Sequence, residues 1–150
     1  MHIMYINNQN QSAYDHQNIF AKILRGDLPC HRVYEDDHTL GFLDVMPQAN
    51  GHTLVIPKHP CRNLFDCPLS VLQAVMTTTH RLALVIKHVF NADGLLLRQS
   101  NECAGGQVIF HLHMHIIPCM NDAPIKPHSG KMETDEILKK HANLIRKALL

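Results

Sequence analysis

The chain has 150 residues, which suits one domain with a single hydrophobic core. Its formal net charge is +1 and 18% of its residues are charged, so bulk charge does not indicate a nucleic-acid or membrane partner. Five cysteines at irregular spacing, none in a CxxC pair, indicate reduced thiols. The first residues lack the features of a signal peptide and no segment is interpreted as a membrane span, so we expect a cytoplasmic protein.

The amino half of the chain predicts a short helix followed by strands. Residues 1–17 are polar and aperiodic, and they are predicted to form a mobile arm. Asn18 is the expected cap of a short helix that Gly26 ends. The segment HRVYEDDHTLGFLD, residues 31–44, predicts a hairpin, and HTLVIP, residues 52–57, predicts a buried strand.

The carboxyl half predicts two helices and two strands. Apolar residues recur at steps of three and four over residues 69–90, which indicates a long helix. GLLLRQS and QVIFHLHMHIIP read as strands, and the second is long enough to bend. A terminal helix is expected from about residue 132, with acidic residues first and basic residues last. The whole predicts one α+β domain over residues 18–150 with a mainly antiparallel sheet.

Three histidines stand at alternate positions in the segment HLHMH, residues 111–115. Side chains on a strand alternate faces, so His111, His113 and His115 are expected on one face, with neighbours about 6–7 Å apart at Cα. Three interpretations are open at this point. They are a polar face of an exposed strand, a metal site with His52 as a further ligand, and nucleophilic attack by a neutral imidazole.

The segment AGGQ, residues 104–107, comes directly before these histidines. Paired glycines let backbone N–H groups turn toward an anion, and the Gln107 amide is expected to add a donor. Phosphate-binding donors beside a row of imidazoles favour phosphoryl or nucleotidyl transfer over a closed metal site.

These motifs resemble the histidine-triad (HIT) family, whose signature His-x-His-x-His-x-x stands here as HLHMHII. Residues 18–58 are similar to the amino half of its Hint-like branch, and the resemblance spans about residues 18–118. It implies an α+β HIT-like fold with a short first helix, one long helix and a carboxyl-terminal helix. It also implies a purine-nucleotide hydrolase or nucleotidyl transferase, such as a nucleoside phosphoramidase or dinucleoside-polyphosphate hydrolase. The protein is then expected to be a homodimer that requires no cofactor.

The resemblance also assigns roles to individual residues. His113 is the nucleophile that attacks the α-phosphorus and forms a nucleotidyl intermediate, which water then hydrolyses. His111 orients His113, while His115 and His52 bind phosphate oxygens or manage protons near the leaving group. Asp44 matches the acid that binds ribose hydroxyls. The remaining expected substrate contacts surround the purine and the phosphate: Ile19, Phe20, Ile23, Phe42, Val45, Leu54, Ser100, Asn101, Gly106, Gln107 and Val108.

The sequence departs from the family pattern in four ways. Asn18 and Ala21 replace the cysteine pair of a structural zinc site found in many bacterial relatives, so no metal is expected. Val108 replaces a hydroxyl residue that meets the phosphate, and Ser100 is shorter than the usual Asn. Glu102 adds a negative charge that is expected to disfavour polyphosphate leaving groups relative to amines.

Two other classes of function remain open. The segment around AGGQ, here called the phosphate loop, has Val108 and Ser100 where the family has better phosphate ligands. This weakened loop would also suit a nucleotide-binding regulatory or scaffold protein with incidental hydrolysis. A metal-binding protein would use His111, His113 and a third ligand.

Overall fold

The computed structural model describes residues 12–128 and 130–150. These residues form a five-stranded antiparallel sheet and three α-helices, which confirms the predicted α+β class. The strand order across the sheet is β1-β2-β3-β5-β4. In chain order the elements are α1 (Ile19–Arg25), β1 (Arg32–Glu35), β2 (Thr39–Leu43), β3 (Thr53–Pro57), α2 (Leu69–Val89), β4 (Gly94–Arg98), β5 (Met114–Cys119) and α3 (Asp135–Leu149).

Helix α1 begins and ends where its sequence predicts. The Asn18 side chain accepts hydrogen bonds from the backbone N–H groups of Phe20 and Ala21, which lack partners inside the helix. Gly26 ends the helix with φ of 82°, a left-handed conformation that glycine adopts without strain. The helix buries Phe20 and Ile23 against one face of the sheet.

The two faces of the sheet carry separate hydrophobic clusters. One face packs against α2 and α3, through residues such as Val55, Ile116 and Leu82. The other packs against α1, and its cluster comprises Phe20, Ile23, Leu40, Phe42, Leu54 and Ile56. The side chains of a strand alternate between the two faces of the sheet, and here both faces are covered by helices. For this reason β2 and β3 are buried along their whole length.

Helix α2 covers one face of the sheet and leaves an apolar outer side. It buries Val75, Leu82 and Ile86, and Gly41 on β2 lets Leu82 approach, since a Cβ there would lie 2.7 Å from Leu82 Cδ1. Met76, expected in the buried stripe, is 49% exposed. By length and composition alone, α2 could also cross a membrane, contrary to the expectation that no segment reaches that length. The core helix of a globular domain can have the same length and composition. The contacts of α2 with the sheet identify it as a layer of the fold.

The histidine strand is shorter than predicted. Strand β5 begins at Met114, so His111 and His113 lie in irregular backbone before it, and only His115 lies on the strand. The alternation argument for three imidazoles on one strand face was therefore wrong. In this segment the backbone N–H of Leu112 forms its hydrogen bond outside the sheet, with the carbonyl of Cys61.

Part of the predicted arm lies against the domain. Residues 1–11 fall outside the described residues, whereas Tyr14 contacts His111 and the carbonyl of His16 accepts a hydrogen bond from Arg25 Nη1. The terminal helix begins at Asp135, three residues after the expected start, with the Thr134 side chain as its cap. All five cysteines are free, as the irregular spacing predicts.

Candidate active site

The site centres on His113, whose ring is fixed through one nitrogen. Its Nδ1 lies 2.7 Å from the backbone carbonyl oxygen of His111. A carbonyl only accepts, so Nδ1 must carry the proton and donate it, which leaves the Nε2 lone pair of neutral His113 free. The predicted orienting contact between His111 and His113 is therefore present in the structure. A fixed ring with a free Nε2 is suited to nucleophilic attack.

His111 is completely buried and both of its ring nitrogens have partners. Nε2 lies 2.9 Å from the carbonyl oxygen of Pro57 and must donate to it, so Nδ1 is an acceptor in the neutral ring. The Tyr14 hydroxyl lies 2.5 Å from that Nδ1 and supplies the donor. His111 is thus held between strand β3 and the residues that precede α1, and its carbonyl is held with it.

His52 and His115 form a directed chain of hydrogen bonds. The backbone N–H of Gln48 donates to His52 Nδ1 at 3.0 Å, so the proton of neutral His52 sits on Nε2. His52 Nε2 lies 2.9 Å from His115 Nδ1 and donates to it. The proton of neutral His115 therefore sits on Nε2, and this N–H has no hydrogen-bond partner among residues 12–128 and 130–150. The His115 ring centroid lies 5.0 Å from that of His113 and 5.1 Å from that of His52.

Burial keeps all four imidazoles neutral. Desolvation lowers the pKa of His111 and His52 to about 4 and that of His115 to about 2. It also lowers the pKa of His113, against the opposing effect of the bond to the His111 carbonyl. These directions support the neutral tautomers deduced from the hydrogen bonds. A neutral His113 is the form that can act as a nucleophile near pH 7.

Asp44 lies at the edge of this cluster. It is buried, its Oδ1 accepts from the backbone N–H of Met46, and its Oδ2 lies 3.6 Å from His52 Nε2. Asp44, His52 and His115 each offer one ligand atom, and these atoms lie within 4.8 Å of one another. This is a different set from the His111 and His113 pair that the metal interpretation required. Both ring nitrogens of His111 have other partners, so His111 offers no lone pair to a metal.

The zinc site of the cysteine-bearing relatives does not fit this chain. Asn18 uses its side-chain oxygen to cap α1, and Ala21 is a buried residue with no ligand atom. These two positions therefore cannot replace the cysteine ligands of that zinc site.

The residues expected around a purine are only partly together. Phe20, Ile23, Phe42 and Leu54 share the α1-side cluster, and the Phe20 ring lies edge-on to His113 with centroids 5.0 Å apart. Ile19 is 47% exposed, and Val45 packs on the opposite cluster. Two surface cavities, of about 470 and 130 Å³, are not lined by any of the four histidines. The first lies beside Tyr34 and Arg146, and the second beside Leu72, Leu112 and Met114.

The phosphate loop is held by its own side chains. Both donors of the buried Gln107 amide are used, by the carbonyls of Arg62 and Ile109. A contact from this amide to phosphate would break one of those bonds. The backbone N–H groups of Gly105, Gly106 and Gln107 also donate within the loop, to the carbonyls of Glu102 and Cys103. The N–H of Val108 has no partner among the described residues and is an available donor. Gly106 has φ of 86°, and the Val108 side chain is 85% exposed. Asn101 Oδ1 accepts from the N–H of Leu64, and Ser100 lies beside Gly106.

The charge of Glu102 is compensated. Its carboxylate accepts from Arg62 Nη2 at 3.0 Å and from Asn63 Nδ2 at 2.8 Å. The reason given for amine preference, an uncompensated negative charge near the leaving group, is therefore weakened.

Three residues near the histidines carried no signal in the sequence. Tyr14 lies in an aperiodic polar segment, Gln48 in a loop, and Arg98 at the end of a strand. Arg98 faces His115 across the β4–β5 pairing, and its Nη2 donates to Gln48 Oε1 at 2.7 Å. Only the tertiary contacts connect these residues to the site.

Comparison with known proteins identifies the family. A model of the HIT domain matches residues 25–122. The chain is 41% identical over 100 residues to Protein hit of Bacillus subtilis, a match that covers 67% of this chain and 69% of that protein. It is 40% identical over 107 residues to Adenylylsulfatase HINT3 of Arabidopsis thaliana, covering 71% of this chain but only 54% of that protein.

A solved structure agrees with the fold. A Hit-like protein involved in cell-cycle regulation from Bartonella henselae superposes with a TM-score of 0.87 at 45% identity, covering 91% of this chain and 99% of that one. The HIT-like fold predicted from the motifs is therefore confirmed, and the likeness to HINT3 is consistent with the Hint-like branch. The chain belongs to the histidine-triad family of nucleotide-binding proteins and hydrolases.

Proposed function

We propose that this protein hydrolyses or transfers nucleoside monophosphates from purine nucleotide substrates through a nucleotidyl intermediate on His113. The observation that carries the proposal is the hydrogen bond of 2.7 Å from His113 Nδ1–H to the His111 carbonyl. It fixes the ring and leaves Nε2 unprotonated. The relative named as an adenylylsulfatase supports a nucleotide with an acidic leaving group as one substrate type.

The first step forms a bond from His113 Nε2 to the α-phosphorus. The bond from phosphorus to the leaving group breaks, and its electron pair goes to the leaving atom. The backbone N–H of Val108 would stabilise the charge on the phosphoryl oxygens, since the Gln107 amide and the N–H groups of Gly105, Gly106 and Gln107 already donate to carbonyls. The unused Nε2–H of His115 would donate to a phosphate oxygen or to the leaving atom.

The second step releases the product. A water oxygen attacks phosphorus, the P–N bond breaks, and its electron pair returns to His113 Nε2. The water proton is lost to solvent, and the nucleoside monophosphate leaves. Asp44 would hold the ribose hydroxyls, and the apolar residues Phe20, Phe42 and Leu54 would contact the base.

Rapid quenching tests the intermediate directly. The protein is mixed with adenosine 5′-phosphoramidate labelled with phosphorus-32, quenched in alkali to preserve a P–N bond, and digested to locate the label. We expect the label on His113, and we expect His113→Ala to lower turnover by at least about a thousandfold. His80→Ala, on the outer side of α2, is the matched control. Unchanged turnover in His113→Ala would refute the proposal.

A nucleotide-binding regulatory role is the second candidate. It is favoured by the phosphate loop, where Val108 offers no hydroxyl and Gln107 is fully hydrogen-bonded. Calorimetry with AMP separates the two functions. Tight AMP binding together with turnover that does not depend on His113 would favour the regulatory role.

We also propose that the protein is a homodimer. Strand β4 lies at an edge of the sheet, where it exposes Leu96 and Leu97, and α2 exposes Leu84. An apolar edge strand is suited to pairing with a second copy. Sedimentation is expected to give a dimer, and Leu97→Arg a monomer, whereas Leu28→Arg in a loop leaves the dimer intact. The cytoplasmic location and the lack of nucleic-acid or membrane partners stay predictions.

A further inference from the structure

A row of side chains crosses the sheet from an apolar end to a cationic end. In the strand register, Phe42 pairs with Leu54, Leu54 with His115, and His115 with Arg98. Directly paired residues share a face, so these four side chains lie on the α1 side in that order. Strands lie about 4.8 Å apart, so the row is about 14 Å long. His115 therefore lies between apolar residues on one side and the Arg98 side chain on the other.

Arg98 is a cation without a carboxylate partner. Within residues 12–128 and 130–150, no acidic oxygen forms an ion pair with its guanidinium. Arg98 Nη2 instead donates a hydrogen bond to a neutral amide oxygen, Gln48 Oε1. Burial is the largest cause of the lowered pKa values of His52, His113 and His115, and the positive charge of Arg98 is a smaller contribution in the same direction. Arg98 therefore directs its field at the centre of the site.

Gln48 fixes the position of this cation. Its side chain is buried, and its Nε2 donates to the carbonyl of Lys126 at 3.0 Å, which turns Oε1 toward Arg98. The backbone N–H of the same residue donates to His52. The guanidinium is thus held next to the His52–His115 chain rather than extended into solvent, and part of its fork of donors remains free for an anion.

We propose that Arg98, held by Gln48, binds a negatively charged leaving group of the nucleotide substrate. The proposal rests on the function proposed above and adds the leaving-group class, a sulfate or a phosphate. With the base at the Phe42 end and the α-phosphorus at His113, the leaving group lies on the His115–Arg98 side. The compensated charge of Glu102 does not oppose it.

The chemistry balances for such a substrate. His113 Nε2 forms the P–N bond while the P–O bond to sulfate or phosphate breaks with its electron pair on the departing oxygen. Sulfate leaves as a stable dianion and needs no proton, so the neutral His115 has only to donate a hydrogen bond. Water then cleaves the P–N bond, and the products are the nucleoside monophosphate, the free anion and protons released to solvent.

Substrate discrimination tests the role of Arg98. We would measure kcat/KM for adenosine 5′-phosphosulfate, ADP and adenosine 5′-phosphoramidate, whose leaving groups are sulfate, phosphate and an uncharged amine. Arg98→Gln is expected to lower kcat/KM for at least one anionic substrate by about tenfold to a hundredfold and for the phosphoramidate by less than about threefold. The comparison of the first two substrates distinguishes sulfate from phosphate.

Two variants control for charge and for general damage. Arg98→Lys restores the charge without the planar fork and is expected to recover part of the loss. Arg81→Gln removes a guanidinium that contacts Tyr34 and is expected to change none of the three substrates. An equal loss on all three substrates in Arg98→Gln would refute the leaving-group role while leaving the proposed function intact. Failure of the unsubstituted protein to turn over any of them would refute both.

Discussion

Replacing Tyr14 by phenylalanine removes one hydroxyl and tests how the site holds His111. That hydroxyl lies 2.5 Å from His111 Nδ1, and His111 is fully buried. No water can reach a completely buried nitrogen to replace the lost donor. Leaving a buried acceptor unsatisfied costs about 1–3 kcal/mol. In a chain of this length, each kcal/mol lowers the melting temperature by about 2–4 °C, so we expect a decrease of about 2–12 °C.

The same substitution is expected to slow the proposed reaction. The His111 carbonyl holds His113 Nδ1, so a His111 ring that loses one of its two hydrogen bonds holds the nucleophile less firmly. A displacement of about 1 Å at a reacting group can cost up to about a hundredfold in rate. We therefore expect kcat to fall more than KM rises, because the base and ribose contacts are unchanged.

Tyr34→Phe is the matched control for Tyr14→Phe. The Tyr34 hydroxyl donates to Asp36 Oδ2, but that carboxylate keeps its bonds to the backbone and side chain of Thr39. For Tyr34→Phe we expect a small change in melting temperature and no change in kcat. Circular dichroism melts and steady-state turnover of adenosine 5′-phosphoramidate give both readouts. Equal melting temperatures in the two variants, with unchanged kcat in Tyr14→Phe, would show that Tyr14 does not support His111.

Two further predictions concern protonation and backbone strain. The free energy of unfolding is expected to fall as pH drops from about 6.5 toward 4, because the unfolded chain takes up protons that His111 and His52, with folded pKa values of about 4, do not. Urea titrations across that range check it, and constant stability would count against the buried neutral histidines. Gly51→Ala is expected to destabilise more than Gly26→Ala in thermal melts, since both have positive φ but a Cβ at position 51 would lie 2.4 Å from Phe90 Cε2. Equal losses would mean that the Phe90 ring moves aside.

The sequence by itself determined the α+β fold class and the helices. Local rules were sufficient for α1. Asn18 accepts hydrogen bonds from N–H groups two and three residues further on, and Gly26 ends the helix in a left-handed conformation. The apolar period of residues 69–90 placed α2 correctly at both ends. The alternating histidines and the glycine pair favoured phosphoryl or nucleotidyl transfer, and the resemblance to the HIT family assigned the nucleophilic role to His113, which stays a prediction. The supposed place of His113 on a strand was wrong.

Tertiary structure decided the protonation states and the surroundings of the histidines. His111 and His113 leave the strand because Leu112 bonds to Cys61, which is 51 residues away along the chain and is not visible in any local pattern. Tyr14 and Arg98 reach the site from opposite ends of the sequence, through a contact before α1 and through the β4–β5 register. A sequence pattern records which residues are close along the chain, whereas a proton's position depends on which donor lies across from it in space.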